Sequence, residues 1–298
     1  MSGSPLSPHV KGVLITFLGG LALSFDIPVV RLADGGIWAI LAARSIATVL
    51  VVFVIWLILR LVRGKAPVLI PGRAGAIVSV FYSTSTLFFM ISVFNTTSAN
   101  VAFILAFNPM FGALLSWIFL RERPRPATFI AMAAMTVGVL IIVSSGLESG
   151  HLLGDISAAL SAFSIACALT YSRAVRKDFG FTPLVSAIIP AVIGGLITVK
   201  TGFEINEPSW IIFNGLVLTP FAFWALATGP RFLSAAETGM FYLLETVLAP
   251  VWVWLIFSEQ PPTATLIGGA IIPRIRCGGR RYRCIDFRSI GVIMMFQH

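Results

Sequence analysis

Apolar residues fill long stretches of this chain, and the charged and Pro/Gly-rich positions collect in the short breaks between them. Nine stretches predict helices, over 11–30, 38–60, 74–94, 98–120, 127–144, 153–172, 183–200, 209–227 and 235–257, and a tenth begins at Thr263. A bilayer crossing takes about 20 apolar residues. Backbone N–H and C=O groups in hydrocarbon must be satisfied within the spanning segment, which makes helices the natural reading of such runs. The predicted fold class is therefore an all-α integral membrane protein. The first stretch does not read as a cleaved leader, because its apolar run is too long, no small-residue cleavage site follows it and Asp26 interrupts it.

Composition sharpens this reading. The chain has 298 residues, of which 57% are hydrophobic and 11% charged, and its mean hydropathy is +0.95. A soluble domain carries about 25% charged residues. A soluble enzyme, a nucleic-acid binder and a disordered regulator are excluded on this ground, despite the net charge of +9. The three cysteines (Cys167, Cys277, Cys284) and three histidines (His9, His151, His298) form neither a disulfide framework nor a cluster with zinc spacing. No metal site and no cofactor is expected.

Lys and Arg set the expected orientation, since they are retained on the cytoplasmic side. With the N-terminus inside, twelve fall in cytoplasmic segments (among them Lys65, Arg73, Arg121, Arg123 and Lys177) and two, Arg31 and Lys200, fall outside. This bias predicts a multi-pass protein of the cytoplasmic (inner) membrane.

The chain also repeats itself. Residues 106–124 superpose on 243–261 at a constant offset of 137 with no gap, so that Trp117 meets Trp254, Glu122 meets Glu259 and Pro124 meets Pro261. Five predicted helices separate the copies, an odd number, so the two halves must be inverted in the membrane. Inverted repeats of this kind place a site near the midplane at their interface, which is transporter architecture. An apolar helix with a central Pro, then Glu-Arg-Pro or Glu-Gln-Pro, then Thr and a small-residue helix, resembles the EamA-type drug/metabolite transporters. The likeness covers about 12–272, with Arg44 matching an Arg common near the start of the second helix; Thr246 departs from it where the first repeat has Pro109. The resemblance implies ten helices in two five-helix repeats, 11–144 and 153–272, and movement of small metabolites.

Polar residues deep in apolar stretches are the candidate site, because a charge at a helix centre costs roughly 2.5–3.5 kcal/mol on insertion scales. Glu245 is the eleventh residue of 235–257, and its counterpart Asn108 is the eleventh of 98–120. Tyr242, Glu245, Ala249 and Trp252 share one helix face. Glu245 reads as a substrate or proton site, against a buried Glu bonded for structure; Asn108 reads either way, since its amide could satisfy a carbonyl freed by Pro109. Asp26 and Arg44 lie at matching depth and can pair, as a staple between the first two helices or as part of a gate. Tyr82, in the run Tyr82-Ser83-Thr84-Ser85-Thr86, is placed in the cavity, with the hydroxyls as packing contacts. Trp224 and Asn214 are further pathway candidates. Ala134 and Gly138 suit close helix packing within one chain, with a homodimer interface as the alternative.

Taken together, these features predict a secondary transporter, most simply an exporter, of small metabolites or amino-acid-like compounds working by alternating access. Its expected partners are a small-molecule substrate and the lipid bilayer, with no nucleic acid, and its drive is either a proton coupled through Glu245 or simple facilitated export. The alternative from another class is an integral-membrane transferase or lipid-modifying enzyme, which needs a polar cluster at one membrane face. A third reading is a transport-dead product. The tenth apolar run, Thr263–Ile272, reaches only about 15 Å as helix, half the core of about 30 Å. Six arginines follow within 273–298. That atypical basic tail reads either as a shifted reading frame beginning near Pro273 or as a native tail for anionic lipid, and it predicts a truncated tenth helix. Orientation is directly testable: cysteines introduced singly at 65 and 204 should be labelled from outside only at 204, and labelling at 65 alone would reverse the topology.

Overall fold

Proline has no amide N–H, and its ring clashes with the carbonyl four residues earlier; this chain places one inside several of its apolar runs. The consequences appear in a computed structural model, which describes residues 7–63, 68–121, 137, 150–175, 179, 181–228, 232 and 235–258. Helix α1 (Pro8–Ser24) stops at Phe25, and α2 (Asp26–Leu32), with Pro28 as its third residue, resumes the crossing. Helices α3 (Ile37–Arg63) and α4 (Gly72–Asn95) are continuous. The next crossing is split at Ala106–Phe107 into α5 (Ser98–Leu105) and α6 (Asn108–Leu120), just ahead of Pro109. Helix α7 (Leu152–Val175) is unbroken. Helices α8 (Thr182–Val185) and α9 (Ile188–Thr201) are parted at Ser186–Ala187, ahead of Pro190. Helix α10 (Pro208–Phe213) passes through a π-turn, Asn214–Leu218, into α11 (Thr219–Thr228), which carries Pro220. Helix α12 (Ala235–Phe257) runs without a break. Each interruption thus lies two or three residues ahead of a proline.

Among the described residues, seven crossings are long and apolar enough to span a membrane: His9–Leu32, Ile37–Val62, Gly72–Asn95, Ser98–Leu120, Leu152–Val175, Thr182–Thr201 and Pro208–Leu226. Helix α12 adds 23 residues, about 34 Å at 1.5 Å per residue. The chain is a multi-pass membrane protein. Among the described residues there is no β-strand, only the bridge Gly35–Ile205. The predicted helix from Thr263 and, apart from residue 137, the one at 127–144, together with Glu122, Ala134, Gly138, Glu259 and the 273–298 tail, lie outside the described residues.

The outer surface of the bundle is apolar, and its interior mixes large apolar side chains such as Ile27, Ile40, Leu41, Met90 and Phe107 with small and polar ones. Leu50, Phe53, Val54, Leu57 and Ile58 of α3 and Val192, Leu196 and Val199 of α9 are exposed, as a lipid-facing surface requires. Helix α7 presents the opposite character to α4: Ala158, Ser161, Ala162 and Ala166 are fully buried. Lipid tails are as apolar as leucine, so helices in a membrane associate by close packing of small residues and by hydrogen bonds. Ser85 and Ser161 accordingly bond hydroxyl to hydroxyl at 2.9 Å between α4 and α7. Ser83 donates to the carbonyl of Ser186, at the α8–α9 break, at 2.7 Å. The principal pairings are α4 with α7, α1 with α11 and α12, α3 with α9, α6 with α7, and α5 with α12.

Two turns at one end of the bundle are tied together. Gly36 N–H donates to the carbonyl of Glu204, Asn206 N–H to that of Asp34, and the Asn206 amide to the Asp34 carboxylate, each at 2.8 Å.

Close approach is most constrained at Gly215, in the π-turn. A Cβ there would fall 2.5 Å from the carbonyl oxygen of Arg44 and 2.6 Å from Ala47 Cβ, whereas one at Gly112 would meet nothing within 4 Å. Gly215→Ala should therefore cost about 1–3 kcal/mol and lower the melting temperature in detergent, while Gly112→Ala should leave it unchanged or raised. Equal melting of both variants would contradict this packing.

Candidate functional site

The break at Phe25 makes Asp26 the first residue of α2 and turns its carboxylate into the bundle, where it is buried. A buried charge is tolerable only when paired and hydrogen-bonded. Arg44, from the second turn of α3, supplies the charge: its Nη2 donates to Asp26 Oδ2 at 2.9 Å, with both side chains 7% exposed. The other oxygen, Oδ1, accepts from Asn214 Nδ2 at 2.7 Å. Asn214 is delivered by the π-turn, and its own Oδ1 accepts from Thr219 Oγ1 at 3.0 Å. A π-turn adds one residue to a helical turn and is frequent at functional positions; here it carries the amide into the core. The Arg44 guanidinium also lies over the Phe89 ring, 5.6 Å from its centroid. The Thr48 hydroxyl is shared between the carbonyls of Arg44 (3.0 Å) and Gly215 (3.1 Å), which binds α3 to the π-turn. Three elements, α2, α3 and the π-turn, therefore meet at one carboxylate.

Helix α12 closes the other side. Trp252 donates its indole N–H to Ser24 Oγ at 3.0 Å and stacks on Phe25, with ring centroids 4.5 Å apart and planes at 21°. Both contacts fall at the α1–α2 break. Glu245, two turns earlier on the same face of α12, is within electrostatic range of Asp26 and Arg44. It is only partly buried. Among the described residues its carboxylate has no hydrogen-bond or ion-pair partner.

The remaining sequence candidates separate. Asn108 heads α6 beyond its break and is partly buried, and no hydrogen bond among the described residues joins it to Glu245. Tyr82 is partly buried on α4. Tyr242 lies on α12, but its side chain is outside the described residues. Trp224 is half exposed, with Phe221 beside it. Helix α11 turns Ala222, Ala225 and Leu226 inward against α1, and Trp224 lies off that contact.

A second polar centre was not anticipated. Asp155, fourth residue of α7, is fully buried. Its Oδ1 accepts from Thr96 Oγ1 at 2.6 Å and from Asn100 Nδ2 at 3.1 Å, while Oδ2 has no partner. Arg31 extends this centre by donating to the carbonyl of Thr96 at 2.7 Å. A glycine directly before the acid permits the fit, because a Cβ at 154 would meet the Asn95 carbonyl carbon at 2.5 Å. The sequence signal was a Gly-Asp pair in the first turn of an apolar helix.

The Asp26–Arg44 pair has a distinctive energetic signature. Removing one partner of a buried pair leaves the other charge uncompensated and costs about 3–5 kcal/mol, whereas replacing both with apolar residues is close to neutral. Arg44→Met alone should sharply reduce folded yield, and Asp26→Leu with Arg44→Met should restore much of it. A double variant as damaged as the single would show that the pair does not act as a unit.

Comparison with known proteins agrees with this membrane architecture. Residues 10–144 match the EamA-like transporter family. Over 185 residues the chain is 28% identical to "Uncharacterized transporter YdfC" of Bacillus subtilis, which covers 59% of this chain and 60% of that protein. Over 172 residues it is 23% identical to "Riboflavin transporter" of Vibrio cholerae, covering 57% and 58%. The chain thus spans about three fifths of the length of these curated relatives. A protein of known crystal structure shares the fold over 89% of this chain and 95% of its own, with a TM-score of 0.61 and 18% identity. Residues 10–144, a little under half of the chain, are thus similar in sequence to the EamA-like transporter family.

Proposed function

We propose that this protein is a secondary transporter that exports small metabolites across the cytoplasmic membrane, with its N-terminus inside. It works by alternating access between two inverted five-helix repeats, 11–144 and 153–272. Asp26, Arg44 and Glu245 border the transport path, and Glu245 is the group that substrate or a coupled proton meets. The observation that carries this reading is the convergence of broken helices on a buried charge cluster. Interrupted crossings at a repeat interface are how transporters present backbone and side-chain polar groups to a ligand within the membrane.

The helix pairings support the repeat. If the first crossing is exchanged with the sixth, the second with the seventh, and so on, α4 against α7 becomes α11 against α1, and α6 against α7 becomes α12 against α1. The pairs α3–α9 and α5–α12 map onto themselves. All of these contacts are present. Two relatives named as transporters, one of them for riboflavin, point the same way.

Metabolite profiling of medium and cytosol, with and without expression, tests the proposal. Expression should raise one or more small metabolites in the medium. Glu245→Gln keeps the shape and removes the charge; it should cut that rise by about tenfold or more, the scale of one lost ionic contact in a desolvated site, at unchanged membrane levels. Identical profiles with and without the protein would refute transport, and full activity in the variant would remove Glu245 from the path.

A further inference from the structure

One end of the bundle, the end that the proposed orientation turns outward, is closed by a connected series of polar contacts. The α2–α3 turn holds the α9–α10 turn through Asp34, Gly36 and Asn206, and Glu207 N–H adds a bond to the carbonyl of Ala33 at 3.1 Å. Arg31, near the end of α2, donates to the carbonyls of Thr96 at 2.7 Å and Val93 at 3.3 Å, which ties the first crossing to the α4–α5 corner. Thr96 and Asn100 in turn bond Asp155 of α7. His151 Nδ1 donates to the carbonyl of Asn95 at 3.3 Å. Asp155 is thus the carboxylate through which α7 joins the closed end.

Its hydrogen bonds are one-sided. Oδ1 accepts twice and Oδ2 not at all, although the side chain is fully enclosed. Asp26 shows the contrasting case of a buried acid answered on both oxygens, one of them by a guanidinium. Among the described residues no cation bonds Asp155. An ionised carboxylate in that position would keep an uncompensated charge, the costliest kind of buried polar group. A neutral carboxyl fits the pattern better, since its carbonyl oxygen accepts both bonds and only a hydroxyl goes without a partner. Few other groups there titrate. Helices α4, α5 and α6 pack against α7, and their described residues add only Arg73 and Tyr82, about 33 and about 20 Å along α4 from Asn95. On α7 itself, Cys167, Tyr171 and Arg173 lie about three or more turns away. The near ones are Arg31, held at the Thr96 carbonyl, and His151, one turn ahead of Asp155. Loss of a proton from Asp155 would put a full charge where only neutral donors reach. The corner would then have to part until Arg31, His151 or water came to Oδ2.

We propose that Asp155 is a proton-binding site whose bound proton holds the α4–α5 corner against α7 and keeps this end of the bundle closed, and that release of the proton opens it. Ser98 provides the probe. Its hydroxyl is buried at the same corner and has no partner, so Ser98→Cys exchanges one small group for another without removing a hydrogen bond. The full chain, with its three native cysteines replaced by alanine, is purified in detergent. Maleimide labelling of Ser98→Cys is then followed from about pH 5 to about pH 8, as a ratio to labelling of Glu204→Cys, an exposed position, which corrects for thiolate formation. The ratio should be low in acid and rise by up to about tenfold per pH unit, the slope of one proton. Asp155→Asn keeps an accepting oxygen and has no proton to release, so it should hold the ratio low throughout. His151→Asn should leave the rise in place. A ratio that does not change with pH in the chain that keeps Asp155 and His151 overturns the proposal, whether or not either variant folds. An equal rise in Asp155→Asn overturns it as well, and so does loss of the rise in folded His151→Asn, which would pass the switch to the imidazole. Detergent exposes both ends of the bundle, so the outcome is independent of orientation. It is independent of Glu245 too: a pH-dependent ratio without export would remove the transport reading alone, and export with a constant ratio would remove the proton site alone.

Discussion

A carboxylate inside a membrane bundle has to be answered, and the architecture around Asp26 is organised by that requirement. Ionised and alone, it would be expelled or would stay protonated. Its two oxygens instead accept from Arg44 and Asn214, which fixes α2 against α3 and against the π-turn at once. Each partner carries its own support: Arg44 has the Phe89 ring, Asn214 has Thr219, and Thr48 joins the backbones behind them. Shortening or straightening any of these elements would withdraw a donor from a charge that cannot reach water.

The same residues show what could be read from the chain beforehand. Apolar run lengths placed the crossings, and Lys and Arg clusters marked their ends. Asp26 and Arg44 were legible as a pair because two opposite charges at equal depth have few other places to go. The contact of Asn214 with Asp26 was not legible, because an amide in an apolar helix gives no hint of its direction; the extra residue of a π-turn decides it, and no periodicity rule registers such an insertion. The face that Trp224 takes was illegible for a related reason. Its face depends on which side of α11 meets α1, and small Ala222 and Ala225 win that contact because backbone approach outweighs burial of a large ring where the alternative solvent is lipid.

Asp155 was hidden differently. An acid in the first turn of a helix is usually unremarkable, since the N-terminal end of the macrodipole favours it and water is normally close. Here the turn is driven against the α4–α5 corner by Gly154, so the acid is enclosed and draws on Thr96 and Asn100 for donors. Tertiary packing converts an ordinary capping acid into a buried one. A single sequence carries the pair Gly-Asp but not the corner that it fits.

The interruptions and the charges belong to one device. A continuous helix satisfies its own backbone and can only tilt or slide as a rod. A helix broken two or three residues before a proline can pivot at the break, because the hydrogen bond that would resist bending is already missing. In this bundle the pivot of the first crossing is also where Phe25 meets Trp252 and where Asp26 begins. Any movement of α2 relative to α1 must shift the aromatic pair and the Asp26 carboxylate together, and with them the field at Glu245. A ligand held at this joint would therefore load the same pivot that bends the first crossing, so that binding energy and helix movement would be coupled by geometry, without a separate relay.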